Sequence, residues 1–240
     1  MKKVLSIATL VILFLVGLSP LCAQNEATDS LPKPTRWTLG LQGGLDHNFY
    51  SINTQYAYDM HFSGMRGITL GFSASYEFFD WLAVRIDLNM TQKNYKMQRS
   101  NTYKDYYTNY RNTYTDVPIL AVFHFGGKQL KGHFALGGYV GYWNSGNRNG
   151  VVFGIDDEIE PVFNYSFDET YEFNSTRDNR FDAGIAAAAG ISYRLKDNIE
   201  FKLEYMLYYG LTSTTKNYMR IADPRYHTTN IAQFGVSYCF

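Results

Sequence analysis

Apolar residues at every second position are the feature of this chain that most limits its fold. The clearest run begins at Leu82, where apolar and polar or small side chains alternate strictly (Leu82, Val84, Ile86, Leu88 and Met90 against Ala83, Arg85, Asp87, Asn89 and Thr91). Period two is typical of a β-strand with one apolar and one polar face, whereas helices repeat every 3.6 residues. The segment Ile231–Phe240 keeps the same alternation up to its terminal aromatic residue.

Several further segments follow this pattern and predict an all-β chain of about eight strands. A proline, Pro118, falls on the polar face of the fourth segment. Because proline cannot donate a ladder hydrogen bond, a β-bulge is predicted there. The predicted strands are Trp37–Leu45, Gly67–Phe79, Leu82–Tyr95, Thr113–Phe125, Gly132–Trp143, Phe181–Leu195, Ile199–Leu211 and Ile231–Phe240.

The connections between these segments alternate between short and long. The short ones lie near Asp80, at 126–131 and at 196–198, and they are rich in turn residues. The long ones are polar and cover 49–66, 96–112, 144–180 and 212–226. This alternation predicts an up-and-down antiparallel barrel with short turns at one rim and long loops at the other, as in outer-membrane β-barrels. Both ends of the barrel chain then lie at the short-turn rim.

The amino-terminal residues predict export. Lys2 and Lys3 precede an apolar stretch from Val4 to Leu18, and small and polar residues follow, which indicates a signal peptide cleaved after Ala23. A membrane anchor and a lipoprotein attached at Cys22 are the alternatives. However, the apolar stretch is shorter than the ~20 residues of a spanning helix. The predicted organisation is a signal peptide, a flexible periplasmic leader and a transmembrane β-barrel (residues 1–23, 24–36 and 37–240).

Composition favours the apolar face outside. The chain has 21 Tyr and 17 Phe but a mean hydropathy of only −0.28, as expected when lipid-facing residues alternate with polar ones. A soluble barrel with the apolar face inward is the alternative. Aromatic residues near both strand ends favour a membrane, since they resemble interfacial girdles (Trp37, Trp81, Tyr142 and Tyr209). The formal net charge of zero does not favour nucleic-acid binding. We therefore expect a location in the cell outer membrane.

With the apolar face outward, the lumen receives charges of both signs. In a barrel of about eight strands, side chains fill the interior. The pattern therefore predicts a plugged core of hydrogen-bonded ion pairs and not an aqueous pore. The remaining Cys after cleavage, Cys239, is predicted to be a small packing residue inside the barrel near the short turns. The predicted charged lumen residues are Glu77, Arg85, Asp87, Asp116, His124, His133, Arg194, Glu200, Lys202 and Glu204.

Four segments resemble the PorT-like outer-membrane β-barrel family of Bacteroidetes, over roughly 37–240. They are the acidic-aliphatic-proline strand Thr115–Leu120, the glycine-tyrosine strand Ala135–Tyr142, and the strands Phe181–Arg194 and Glu204–Leu211. The resemblance implies the barrel fold. Some members of that family are linked to type IX secretion, and this role is one alternative for the present chain.

Candidate sites are weak in this sequence, and we predict no catalytic, cofactor-binding or metal-binding residue and no enzyme activity. His124 and His133 flank one short turn, and His47 and His227 lie nearer the long loops, but none belongs to a recognisable catalytic motif. The tyrosine-rich segment 95–111 is either an adhesive surface or an extended rim of strands. An acidic loop leaves calcium binding open (Asp156, Asp157, Glu158, Glu160, Asp168, Glu169 and Glu172).

The predicted function is a structural or binding role, exerted through the extracellular loops. The alternatives are a secretion-associated envelope component, a lipid-modifying enzyme at one rim and a narrow channel. The expected partners are outer-membrane lipid, the barrel assembly machinery acting on the strand that ends at Phe240, and an envelope protein or surface ligand. The barrel is expected to be a monomer.

Overall fold

The computed structural model describes residues 37–52, 59–100, 103–127, 129–156, 160–195, 198–216 and 224–240. The predicted signal peptide and leader lie outside these residues. Within them, no helix is long and apolar enough to cross a bilayer. The described chain forms one antiparallel sheet of ten strands: β1 (Trp37–Ile52), β2 (Met60–Phe79), β3 (Leu82–Gln92), β4 (Tyr95–Arg99), β5 (Tyr107–Gly126), β6 (Leu130–Asp156), β7 (Glu160–Thr170), β8 (Phe181–Leu195), β9 (Ile199–Gly210) and β10 (Arg225–Cys239).

The sheet closes on itself through the first and last strands. β1 pairs with β2 on one side and with β10 on the other, so that Leu41 is the register partner of both Phe72 and Val236. The backbone N–H of Phe240 donates to the carbonyl of Trp37 at 2.9 Å, next to this seam. The closed ring runs β1-β2-β3-β5-β6-β8-β9-β10 and back to β1. The prediction of an all-β antiparallel barrel with about eight spanning strands is confirmed.

Two strands, β4 and β7, lie outside this ring and were not predicted. β4 continues the line of β3 after a break at 93–94, and β7 folds back on the end of β6. Much of the chain predicted as long loops is therefore strand, since β2 begins at Met60 and β6 extends to Asp156. The physical reason is that strands leaving the bilayer meet water on both faces. Alternation is therefore not required over their whole length, and in β7 it is confined to a short aromatic stretch inside an acidic segment, although backbone pairing continues.

The short connections are as predicted in the described residues, but the predicted bulge is wrong. Asp80 and Trp81 alone separate β2 from β3, and Gly126, at φ 113°, starts the next tight turn. At Pro118 the register toward β6 is continuous, and toward β3 the pairing lapses and then resumes in the same register. The missing N–H therefore interrupts the ladder without inserting a residue. The register shift between β5 and β6 lies instead between Thr113 and Tyr114, where Asn144 of β6 is the extra residue.

The two faces of the barrel have opposite character. Many outward side chains are apolar and exposed, for example Leu45 at 68 %, Leu70 at 61 % and Phe72 at 64 %. The aromatic residues predicted at the rims also point outward (Trp37, Trp81, Tyr142 and Tyr209). Charged and amide side chains are buried inside instead. A continuous apolar belt around a polar interior fits a barrel in lipid and contradicts the soluble alternative.

Candidate functional site

The middle of the lumen is filled by a cluster centred on Arg85. Its guanidinium donates to both carboxylate oxygens of Glu204, at 2.7 and 2.9 Å, and its Nε lies 3.2 Å from Asp87. His133 Nε2 lies 2.7 Å from the Glu204 Oε2, and the amide of Gln233 donates to the Oε1 at 2.7 Å. We call these five residues, which come from β3, β6, β9 and β10, the Arg85 cluster. Its members are almost fully buried.

A second cluster lies nearer the long loops and surrounds Lys93. The Lys93 Nζ donates to Asp116 at 2.9 Å and to Asp182 at 2.7 Å, and it lies over the ring of Tyr114, 4.5 Å from the centroid. Tyr139 donates its hydroxyl hydrogen to Asp182 at 3.1 Å. We call these five residues the Lys93 cluster. Buried charges are tolerated only with such partners, because an unpaired ion loses its hydration.

Arg85, Asp116 and the other charged residues predicted for the lumen do lie there, but Lys93 and Asp182 were not predicted. Both are buried. Strand parity could have found them, because Lys93 continues the inward series of Arg85 to Thr91. Asp182 likewise lies an even number of residues from Arg194 on the same strand, so both side chains face the lumen. Lys93 was overlooked because it follows the last clearly alternating pair of that strand.

The loop end of the lumen is closed by amides and aromatic rings. Buried Asn48 donates to His227 Nδ1 at 3.0 Å and accepts from Thr229 at 2.8 Å. Tyr50 stacks on Tyr95, with ring centroids 4.0 Å apart and an interplanar angle of 2°. Above the Lys93 cluster, these groups occupy the space that a channel would need.

The turn end holds a polar cavity of about 30 Å³, which is room for about one water molecule. Hydroxyl groups, Arg85, Glu200, Lys202 and the two predicted histidines line it, and the rings of His124 and His133 lie 6.2 Å apart. The structure thus brings these two histidines together, but Glu204 holds His133, and His124 Nδ1 has no hydrogen-bond partner in the described residues. Cys239 is buried inside at this rim, as predicted.

The loop histidines are not brought into a common site. His227 is fully occupied by Asn48 and by the hydroxyl of Tyr114, which lies at 3.4 Å. His47 stacks edge-on against Phe49. Within the described ranges, no group of three His, Cys, Asp or Glu side chains could hold a metal ion. Of the acidic residues considered for calcium, the side chains of Asp156, Asp157, Glu158 and Glu160 lie outside the described residues.

Beyond the ring, the sheet continues at the long-loop rim, which we call the loop rim. The start of β2 pairs with β4, β4 with the start of β5, β5 with the end of β6, and β6 with β7. The segment 95–111 belongs to this extension, so its prediction as an extended rim of strands is confirmed. Tyr95 and Tyr110 stack inward at 4.7 Å, whereas Tyr103 remains 52 % exposed. The segment therefore has both a packing face and an exposed face.

A short connection between β7 and β8 is fastened by Asp178. Its carboxylate accepts hydrogen bonds from the Tyr171 hydroxyl at 3.1 Å, the Asn174 backbone N–H at 2.9 Å and the Arg177 Nε at 2.8 Å. The hydrogen bond to Asp178 raises the pKa of Arg177. Burial, followed by the Asp178 charge, raises the pKa of Tyr171 to about 12. These contacts hold 171–178 as a compact unit.

Several proteins of known structure are similar to this chain. A search of curated proteins found no match. Solved structures with a similar fold include neisserial surface protein A, at 14 % identity and TM-score 0.42 over 84 % of this chain and 97 % of that one. Ail of Yersinia pestis is similar at 13 % identity and TM-score 0.39, over 85 % and 99 %. The outer membrane protease OmpT of Escherichia coli is similar at 9 % identity and TM-score 0.47, over 89 % and 100 %.

These structural scores are too low to carry an argument, and the family assignment rests on the sequence. Residues 22–216 match the family described as the outer membrane protein beta-barrel domain, which is most of the chain. The match covers all but the last of the ring strands in the structure. The chain therefore belongs to the outer membrane β-barrel domain family and is located in the outer membrane.

Proposed function

We propose that this protein is a surface-binding barrel with a plugged lumen, not a channel or an enzyme. The observation that carries the proposal is the contrast between its two accessible parts. The lumen is filled by side chains that bond to one another, whereas the sheet at the loop rim extends past the ring and exposes aromatic residues. Outer-membrane barrels carry their longer connections on the extracellular side, so this extended sheet faces the outside of the cell.

The pairing of the charged side chains in the lumen supports the proposal of a plugged barrel. Arg85 and Lys93 are each held by two carboxylates, and the Arg85 cluster also occupies His133. A conducting pore would need these groups to face water. A rim enzyme would need a histidine free to move a proton between a nucleophile and a substrate. Among the described histidines, His133 and His227 are both committed to neighbouring side chains, and His124, whose Nδ1 has no partner, faces a cavity with room for about one water molecule.

The loop rim supplies the features of a contact surface. Tyr103 and Tyr165 are about half exposed, at 52 % and 54 %, and Phe153 is exposed at 43 %. Tyrosine and phenylalanine offer large contact area at a low cost in side-chain entropy, which is why binding surfaces are rich in them. The sheet beneath them is anchored in the barrel, so these side chains are held in place before a partner arrives.

The test is photo-crosslinking in intact cells, with a photoreactive amino acid at one position at a time. We expect Tyr103, at the loop rim, to give a discrete macromolecular adduct, and Leu88, in the lipid belt, to give none. Gln129, exposed in a short turn, reports on periplasmic partners. Adducts at Gln129 without any at Tyr103 would overturn the proposed surface role and favour an envelope-facing one.

We further propose that this protein is related to the PorT-like barrels of Bacteroidetes and acts as a secretion-associated component. The support is that the resembling segments lie side by side: Asp116, Gly141 and Asp182 are successive register partners on β5, β6 and β8. A Cβ at Gly141 would collide with the Asp116 carboxylate, so this glycine is needed beside the Lys93 cluster. Co-purification of periplasmic envelope proteins through turn-rim crosslinks would support this role, and their absence would count against it.

The remaining partner assignments are proposals of the same kind. The outward apolar belt suits contact with outer-membrane lipid, and the strand ending at Phe240 suits recognition by the barrel assembly machinery. Because the ring closes within one chain, we propose that the barrel acts as a monomer.

A further inference from the structure

β7 leaves one edge of the loop-rim sheet open. It pairs with β6 along Asn147–Gly154, and it is the terminal strand in the order of the sheet. No other described strand pairs with its opposite edge. Most strand edges in a barrel disappear on closure, so an open one is unusual and is a ready template for another extended segment.

The backbone groups that face this open edge follow from the register. The Tyr171 N–H donates to the Gly146 carbonyl at 2.9 Å, which places residue 171 in a hydrogen-bonded pair with β6. In an antiparallel ladder such pairs recur at every second residue. Residues 165, 167 and 169 therefore bond to β6. The N–H and C=O groups of residues 164, 166, 168 and 170 point to the open edge.

The side chains beside the open edge are acidic on one face and aromatic on the other. Asp168 is exposed on the face shared with Ser166, and no ion-pair partner for it lies within the described residues. On the opposite face, Tyr165 is 54 % exposed and Phe167 is partly buried. Glu169 also lies on that face, but Arg148 already pairs with it at 2.7 Å.

We propose that the open edge of β7 binds an extended peptide segment of another protein, which adds to the sheet as a strand. The segment carries a basic residue facing Asp168 and apolar residues facing Tyr165 and Phe167. This inference rests on the proposed surface-binding role and names its partner class. A second copy of β7 is a poorer occupant, because it brings the same acidic residues and no basic one to the junction.

The experiment uses the full barrel refolded in neutral detergent and a labelled short peptide in which lysine and valine alternate. Fluorescence anisotropy reports its binding. The variant is Ser166→Pro, which removes an N–H from the open edge without removing one that bonds to β6. Edge strands tolerate proline at such positions. The matched control is Ser166→Ala. Heat-modifiable gel mobility shows that both variants are folded.

The expected result is roughly tenfold weaker binding to Ser166→Pro than to Ser166→Ala, since an edge hydrogen bond and close strand approach are both lost. A peptide in which glutamate replaces lysine is expected to bind the wild-type barrel more weakly than the lysine peptide does. Equal binding by the two variants, or by the two peptides, would overturn the proposal, as would no binding at all. Dimers of the barrel that Ser166→Pro abolishes would assign the edge to a second copy and also overturn it. If any of these results is found while the Tyr103 crosslinks persist, the surface-binding role is supported and only the peptide-binding role of the β7 edge is excluded.

Discussion

At the scale of single residues, two basic side chains determine whether the lumen charges are compensated. Arg85 holds Glu204 and Asp87, and all three are buried. Arg85→Leu keeps much of the volume but removes the cation that contacts both carboxylates, and it leaves Glu204 with the more distant Lys202, whose Nζ lies 3.8 Å away. Removing one partner of a buried ion pair costs about 3–5 kcal/mol. We expect the free energy of unfolding, measured by denaturant titration in lipid vesicles, to fall by about this amount. Lys104→Leu, in the exposed connection before β5, is the control and should change little; equal losses would contradict the buried ion-pair network.

Lys93 makes a sharper test, because its two partners can be neutralised as well. Lys93→Met should destabilise the barrel by a similar amount, on the order of 3–5 kcal/mol, since Asp116 and Asp182 would face each other without a cation. Adding Asp116→Asn and Asp182→Asn should restore much of the loss. Denaturant titration of the single and triple variants measures this. A triple variant that is no more stable than Lys93→Met would show that Lys93 acts through packing and not through charge.

The Tyr171 phenol gives a pH-dependent prediction outside the membrane. Its pKa is raised to about 12, so the folded chain holds the proton where an unfolded chain, with an ordinary value of about 10, has released it. The stability linked to this proton is therefore fully present below pH ~10 and is lost as the pH rises toward ~12. The difference in absorbance between wild type and Tyr171→Phe during alkaline titration measures the pKa. In Asp178→Asn it should move back toward 10; an unchanged midpoint would exclude Asp178 as a cause.

At the scale of elements, the ring and the loop-rim extension are separable. β7 pairs with β6 from Asn147 onward, beyond the Leu130–Tyr142 part that pairs with β8, and only residues 147–151 of this stretch of β6 also pair with β5. Deleting residues 149–168 and joining Arg148 to Glu169 through an Asn-Gly turn should leave a folded barrel, because those two residues are register partners. Heat-modifiable mobility tests this. Removal of β9, a ring strand, is the control and should abolish folding; loss of folding in both would show that β7 supports the ring.

The same division explains how much of this fold the sequence could predict. Ring strands such as β8 were predicted to the residue, because inside the bilayer each side chain faces either lipid or lumen and its polarity records which. β4 and β7 were missed because they are short, lie within polar segments and extend beyond the bilayer, where the environment does not require a long apolar face. Of the site, Arg85 and Glu204 were predicted as lumen residues from parity. Their pairing across the barrel was not, since residues 119 apart in sequence meet only through strand order.

At the scale of the whole molecule, the barrel reverses the arrangement of a soluble protein and then fills its own interior. Apolar groups face lipid, and the lumen contains the Arg85 cluster, the Lys93 cluster and the aromatic rings at the loop end. The Arg85 cluster crosses the full width of the barrel, because Arg85 on β3 reaches Glu204 on β9, the strand opposite it in the ring. Such contacts across the lumen oppose flattening of the ring and block the passage of solutes. The same filling leaves the outer surfaces at the two rims as the places where a partner can bind.

This filling predicts electrical silence in a planar lipid bilayer. We expect the wild-type barrel to insert without discrete current steps. Ions would have to pass through the Arg85 and Lys93 layers, where charges are paired, and the cavity on the turn side measures about 30 Å³. A variant with Arg85, Glu204 and Gln233 all changed to alanine removes the middle layer but not the Lys93 layer, so it should also remain closed. Adding Lys93→Ala, Asp116→Ala and Asp182→Ala should produce measurable leak. Steady current steps from the wild type would contradict the plugged lumen and favour a narrow channel. Leak that appears only when both layers are removed would show that the two clusters, acting in series, block the passage of ions.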